Sequence, residues 1–198
     1  MLDINQLSIQ LGTQTLNYHQ QIKSGDIVTL QGISGVGKSS LLLCISGFIP
    51  TVSGSIYWQD KAINHLPIEQ RPVAMLFQEN NLFEHISVLK NACLSISAEN
   101  SSNILKHAEQ LNISDQMHKM PNQLSGGQRQ RVGLLRTLLR PEPIILLDEP
   151  FAELDNKTRE ICADWLASIA KSTHKTVLLV THQLEDVEKL ADHNWLID

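Results

Sequence analysis

No two of the three cysteines, Cys44, Cys93 and Cys162, stand close enough in sequence to form a C-x-x-C pair. That argues against a disulfide framework and against a zinc ribbon, and it fits a reducing compartment. No run approaches the roughly eighteen apolar residues of a membrane-crossing helix. Met1-Leu2-Asp3-Ile4-Asn5 lacks the basic segment and long apolar stretch of a secretion signal, so membrane association is expected only through a partner. Positive charge is not in excess: 16 Lys and Arg against 21 Asp and Glu give a net charge of -5, with no basic run to form a nucleic-acid footprint. Repeats and low-complexity tracts are absent as well. What remains, 198 residues with 42% apolar and 19% charged, is the composition of one globular domain with room for an inserted subdomain.

Gly32-Ile33-Ser34-Gly35-Val36-Gly37-Lys38-Ser39 matches the phosphate-binding pattern G-x-x-x-x-G-K-[ST]. The apolar Ile27-Val28-Thr29-Leu30 before it and Leu41-Leu42-Leu43-Cys44-Ile45 after it supply strand, loop and helix in the order the pattern requires. Glycines at 32, 35 and 37 let successive backbone N–H groups point inward at phosphate oxygens, and the following helix adds its free N–H groups and positive dipole end. Lys38 is placed to reach β- and γ-phosphates, and the Ser39 hydroxyl to ligate Mg²⁺. A nucleoside triphosphate is the expected ligand.

Upstream, Leu7, Ile9 and Leu11 alternate with polar residues, Gly12 marks a turn, and Leu16 and Tyr18 resume the alternation. Ser24-Gly25-Asp26 turns into the strand that feeds the loop. Ser55-Ile56-Tyr57-Trp58 completes a small antiparallel sheet beside the nucleotide. Three short apolar runs, Pro72 to Phe77, Pro143 to Leu147 and Thr176 to Thr181, read as buried strands of an α/β sheet. Each ends in chemistry: Gln78, then Asp148-Glu149, then His182. Ligands of open α/β sheets lie at the carboxyl ends of strands, so these side chains are placed to meet Mg²⁺, the γ-phosphate and an attacking water. Two adjacent carboxylates there need a cation or a proton-transfer task; the alternative is capping of the next helix.

Between Glu79 and Leu139 the chain reads mainly as helix, with Ile104, Ala108 and Leu111 on one face and Asn100-Ser101-Ser102-Asn103 as loop and cap before them. Inside it, Ser125-Gly126-Gly127-Gln128 opens a helical run and forms a second anion-binding helix start. Asp155 begins another helix, whose apolar face carries Ile161, Trp165, Leu166 and Ile169. A last amphipathic segment with Leu184, Val187, Leu190 and Ala191 leads to a terminal strand, Trp195 to Asp198.

Five stretches in this order and spacing, GISGVGKSS at Gly32 to Ser40, Gln78, LSGGQRQRV at Leu124 to Val132, IILLDEPFAELD at Ile144 to Asp155 and VTH at Val180 to His182, resemble the ATP-binding cassette family over essentially the whole chain. The resemblance implies an α/β fold: a RecA-like P-loop core, a small N-terminal antiparallel β subdomain, and an α-helical subdomain inserted at about 79–140, all within one nucleotide-binding domain spanning 1–198. It implies an ATPase that works as a head-to-tail dimer. Each ATP would lie between one subunit's Gly32, Ser34, Gly35, Val36, Gly37, Lys38, Ser39 and Ser40 and the opposite subunit's Ser125, Gly126, Gly127 and Gln128. By the same likeness Ser39, Gln78 and Asp148 hold Mg²⁺, Glu149 is the general base, His182 senses the γ-phosphate, and Asp155 belongs to a loop that communicates across the dimer.

Arg71 to Val88, RPVAMLFQENNLFEHISV, is similar to the ATPase subunit of bacterial thiamine importers, and around Gln78 the family docks a short helix of a membrane subunit. The implied setting is the cytoplasmic face of the bacterial inner membrane. The implied partners are separate permease chains and, indirectly, a periplasmic solute-binding protein, with no nucleic acid. An exporter or lipoprotein-extraction ATPase, and a soluble ATPase acting in DNA repair, chromosome structure or translation, are the alternatives. Three departures stand out. Leu11 before Gly12 replaces an aromatic residue that many relatives stack on adenine, leaving Tyr18 as a candidate substitute. Glu153 occupies a loop position more often small. With the chain ending at Asp198, feedback through a C-terminal regulatory extension is not expected.

Overall fold

The computed structural model describes residues 1–79, 81–94 and 101–197. Alternation builds the first sheet: β1 (Leu2–Leu11) pairs antiparallel with β2 (Gln14–Ile22) and with β4 (Ser53–Trp58), which pairs with the short β5 (Lys61–Ala62). Leu2 and Ile4, then Leu7 and Ile9, are all fully buried although their parities differ. A bulge between Ile4 and Leu7, with Gln6 at φ 47°, absorbs the extra residue and returns the apolar side chains to one face.

Continuous apolar runs build the second sheet. β3 (Ile27–Gln31), β6 (Val73–Leu76), β7 (Ile144–Asp148), β8 (Thr176–Val180) and β9 (His193–Leu196) are all parallel, in the order β6-β7-β8-β3-β9. Both faces are covered, and successive residues of one strand serve different cores. Ile144, Leu146, Leu178 and Val180 pack with the antiparallel sheet and with α1 (Lys38–Ser46). Ile145, Leu147, Val177 and Leu179 pack with the opposite layer, to which α2 (Val88–Cys93), α3 (Ser101–Gln110), α4 (Gly126–Leu138) and α5 (Asn156–Ser172) contribute. Truncating a buried leucine such as Leu146 to alanine costs about 2–5 kcal/mol.

The helix ends follow local chemistry. Ser125 caps α4 by accepting from the Gln128 N–H at 3.3 Å, and Gln128 Oε1 accepts from the Ser125 N–H at 3.0 Å, a reciprocal capping box. Asp155 caps α5, its Oδ1 accepting from the Thr158 N–H at 3.0 Å. The C-terminus of α1 is held by a side chain distant in sequence: Arg71, 9% exposed, donates to the carbonyls of Cys44, Ile45, Leu66 and Asn64 at 2.8–3.1 Å.

Two expectations change. Ser101 to Asn103 already belong to α3, so they are not loop; Asn100, the other residue of that expected loop, lies outside the described residues, as does Asp198 of the terminal strand. Leu184 does not join an apolar face: in α6 (Leu184–Leu190) it is 66% exposed, and the buried members are Asp186 and Leu190. Asp186 turns inward because the Thr181 hydroxyl donates to it at 2.5 Å. No described helix is long and apolar enough to cross a membrane.

Candidate functional site

The parallel strands all point one way, so the phosphate loop after β3, Gln78 after β6, Asp148-Glu149 at the end of β7 and His182 after β8 converge on one edge. A cleft of about 300 Å³ there is lined by Ser34, Gly35, Gly37, Lys38, Ser39, Ser40, Gln78, Glu149 and His182. Gly32 and Val36 belong to the same loop, Gly32 half-buried and Val36 turned inward at 8% exposure. Among the described residues, no cluster of three or more His, Cys, Asp or Glu side chains is arranged to hold a metal ion. The oxygen ligands expected for Mg²⁺ are of another kind, a hydroxyl, an amide and one carboxylate.

Lys38 is 6% exposed, and its Nζ donates to the carbonyls of Gly32 at 2.8 Å and Ile33 at 2.9 Å. The ammonium thereby braces the loop whose N–H groups are expected to cradle phosphate oxygens. Gly37 has φ 105°, and a Cβ there would sit 2.3 Å from Leu16 Cδ1 and 2.5 Å from the Tyr18 hydroxyl oxygen. Only glycine fits that close approach over β2. Tyr18 donates to the Gly37 carbonyl at 3.0 Å and is 7% exposed, with burial pushing its phenol up to about 12. It is therefore a prop under the loop, and its ring is not presented for stacking on a base.

The Ser39 hydroxyl donates to Asp148 Oδ1 at 3.0 Å, which brings two of the expected Mg²⁺ ligands into contact. Asp148 is 6% exposed; burial raises its carboxyl above the ordinary range, and the neighbouring Glu149 charge adds to that. A divalent cation would relieve both effects, so the donor set fits Mg²⁺. Glu149 has left-handed φ 48°, and its Oε1 lies 3.1 Å from His182 Nε2. A strained backbone at a carboxylate facing a ligand cleft is a position held by its surroundings.

Ser125, Gly126, Gly127 and Gln128 are not in this cleft. They open α4 elsewhere, where Gly126 shares a second depression of about 340 Å³ with Gln78, Arg129, Gln130 and Glu153. Gly126 and Gly127 press on the turn after β7: a Cβ at Gly126 would meet Glu153 Oε2 at 2.8 Å, and one at Gly127 would meet the Glu153 carbonyl oxygen at 2.9 Å.

Side chains that sequence reading passed over hold the loop after Gln78. Asn81 pairs with the Phe77 backbone, accepting from its N–H at 2.8 Å and donating to its carbonyl at 2.5 Å. Fully buried Asn91 accepts from the Phe83 N–H and donates to the carbonyls of Phe83, Ile86 and Ser87. Arg129 pairs with Glu84, and Arg136 donates to the Asn81 carbonyl at 2.9 Å. The one signal available was polar residues inside apolar helical patterns, Asn91 and Arg136. Beside this loop runs a groove of about 340 Å³. Its walls include half-exposed Phe48, edge-to-face with Phe77 at 5.3 Å, and half-exposed Phe83 under the Arg136 guanidinium at 4.9 Å.

The profile of the family described as "ABC transporter" matches residues 16–152. The "Thiamine import ATP-binding protein ThiQ" of Vibrio cholerae serotype O1 is 41% identical over 197 residues, 96% of this chain and 83% of that protein. The protein of the same name from Haemophilus influenzae is 41% identical over 189 residues, 92% of this chain and 88% of that protein. Among solved structures, the dimeric MJ0796, described as a bacterial ABC transporter cassette, superposes with TM-score 0.87 at 28% identity, over 100% of this chain and 94% of that one. Its post-hydrolysis state bound to ADP and Pi gives 0.88 with the same identity and coverage. The chain belongs to the ABC transporter family and has the fold of its ATP-binding cassettes.

Proposed function

We propose that this chain is the ATP-hydrolysing subunit of a bacterial importer, one nucleotide-binding domain with its helical part at about 79–140, and that the imported solute is thiamine. One observation carries the enzymatic part: a single cleft gathers Lys38, Ser39, Gln78, Glu149 and His182 from the ends of separate parallel strands. The triphosphate enters the loop from Gly32 to Ser40, where backbone N–H groups and Lys38 bind its oxygens. Ser39, Gln78 and Asp148 would hold Mg²⁺, which would supply neutralisation of the phosphate charge. Glu149 accepts the proton of the attacking water, and His182, 3.1 Å away, orients the water and the γ-phosphate.

The helix start at Ser125, Gly126, Gly127 and Gln128 does not line this chain's own cleft, which supports a role toward a second subunit's nucleotide in a head-to-tail dimer. The dimeric MJ0796 cassette supports the same arrangement. The aromatic groove lined by Phe77, the residue before Gln78, supports docking of a short permease helix, and with it a setting at the cytoplasmic face of the inner membrane with a periplasmic binding protein delivering the solute. The names of the relatives favour thiamine over other solutes.

Glu149→Gln tests the mechanism. It removes the base and keeps the phosphate contacts, so hydrolysis should fall by about 10²–10³ while ATP still binds and the dimer stays closed; unchanged turnover would sink the assignment. For the solute, the tagged chain is purified from membranes with its permease, and ATPase activity is measured in liposomes with thiamine-loaded binding protein. Stimulation by another solute alone would discard thiamine.

A further inference from the structure

We propose that Gln130 is a positioning residue for Glu149, tying the backbone of the proposed base to the helix that would meet the opposite subunit's nucleotide. This rests on the reading of Glu149 as general base. Gln130 lies on the second turn of α4, and its side-chain amide spans the turn after β7. Its Nε2 donates to the Glu149 carbonyl at 2.8 Å, and its Oε1 accepts from the Glu153 N–H at 2.8 Å. The orientation of the amide is fixed by its partners, since a backbone carbonyl only accepts and a backbone N–H only donates.

Glu149 is thus gripped from two sides. Its N–H donates to the Val180 carbonyl at 3.1 Å, at the end of β8, and its carbonyl takes the Gln130 amide together with the Ala152 N–H at 3.3 Å. Between these anchors the residue holds φ 48°, a conformation that is strained for a non-glycine residue and persists only where the surroundings over-determine it. Gly127 supplies the second, independent requirement. A Cβ there would sit 2.9 Å from the Glu153 carbonyl oxygen, a backbone atom, so glycine at 127 lets α4 approach closely enough for Gln130 to reach across. The first turns of α4 and the main chain of Glu149 form one mechanical unit, so a nucleotide seated against Ser125, Gly126 and Gly127 sets the aim of a carboxylate in the other cleft. Gln130 acts through the Glu149 main chain in this arrangement. Its effect belongs in the chemical step.

The test uses the purified full chain in excess over radiolabelled ATP, so that one turnover is followed. Gln130→Met keeps the volume and removes both hydrogen bonds. The expected result is hydrolysis slowed by about tenfold to a hundredfold, the penalty of a misaimed group. ATP affinity should stay within about threefold and the Tm within about 3 °C. Combined with Glu149→Gln, the same substitution should slow the reaction no further, because both act through one carboxylate. Full-rate hydrolysis by Gln130→Met beside a slow Glu149→Gln overturns the proposal and leaves the base assigned. Full-rate hydrolysis by Glu149→Gln overturns the base, and the proposal with it. A loss that appears in affinity or Tm, or that adds to Glu149→Gln, shows a merely structural residue and also overturns it.

Discussion

Gly37 is where the phosphate loop touches the antiparallel sheet. Its φ of 105° and the 2.3 Å approach of a hypothetical Cβ to Leu16 mean that even alanine must displace β2 or the loop. Gly37→Ala should destabilise the chain by about 2–4 kcal/mol, the sum of backbone strain and overpacking. A denaturant titration reads the loss, and a nucleotide titration should show weaker binding. A normal midpoint would mean that the loop and the sheet adjust independently. Tyr18 belongs to the same contact. As a sequence position it offered an aromatic ring for a base, and its hydroxyl bond to the Gly37 carbonyl gives it a mechanical duty instead. Nothing in its local sequence separates the two, because the difference lies in what folds over it.

At the scale of the elements, legibility follows sequence distance. β7 announced itself as an apolar run ending in two acids, the capping of α5 by Asp155 was readable from the residues at its start, and the phosphate loop declared its strand and helix. Arg71 did not. It stands 26 and 27 residues from the α1 carbonyls it binds, and a lone arginine before a strand carries no local sign of that pairing. The same holds for Gln130, 19 residues from Glu149, and for Leu184, whose place on an expected apolar face went to Asp186 through a hydrogen bond from Thr181. Arg71→Ala would remove the guanidinium from four buried or part-buried carbonyls, of which Cys44 keeps the Gly47 N–H as donor, costing about 2–4 kcal/mol. That corresponds to a Tm lower by about 5–15 °C in a chain of this size. Arg71→Lys should recover part of it, since an ammonium satisfies some of the acceptors without the guanidinium's reach. A thermal scan in which both variants match the parent would remove Arg71 from the account of α1.

For the whole molecule, both cores contain buried acids that fold in the neutral form. Burial pushes the Cys44 thiol up to about 11 and the Cys162 thiol up to about 12 from an ordinary value near 9. A folded-state pKa above the unfolded one contributes stability that is complete below about pH 9 and is lost as pH rises through 11 to 12, because the unfolded chain releases its protons first. At roughly 1.4 kcal/mol per unit, the full alkaline loss is on the order of 3 kcal/mol for Cys44 and 4 kcal/mol for Cys162. Urea midpoints measured from pH 8 to pH 11 should fall, and the Cys44→Ala/Cys162→Ala double variant should show a shallower decline. Parallel curves would place the alkaline sensitivity elsewhere.

β7 has one more consequence. It is fully buried along its length, hydrogen-bonded to β6 on one side and β8 on the other, and its alternate side chains belong to different cores. Its amide protons can therefore meet solvent only when both layers open together. In deuterium exchange, the amides of Ile145, Leu146 and Leu147 should be the last to be replaced, at a rate set by global unfolding. The half-exposed aromatic groove beside Phe77 should exchange early. The acids at the end of β7 then ride on the slowest clock in the molecule, while the surface proposed for a permease keeps a fast one.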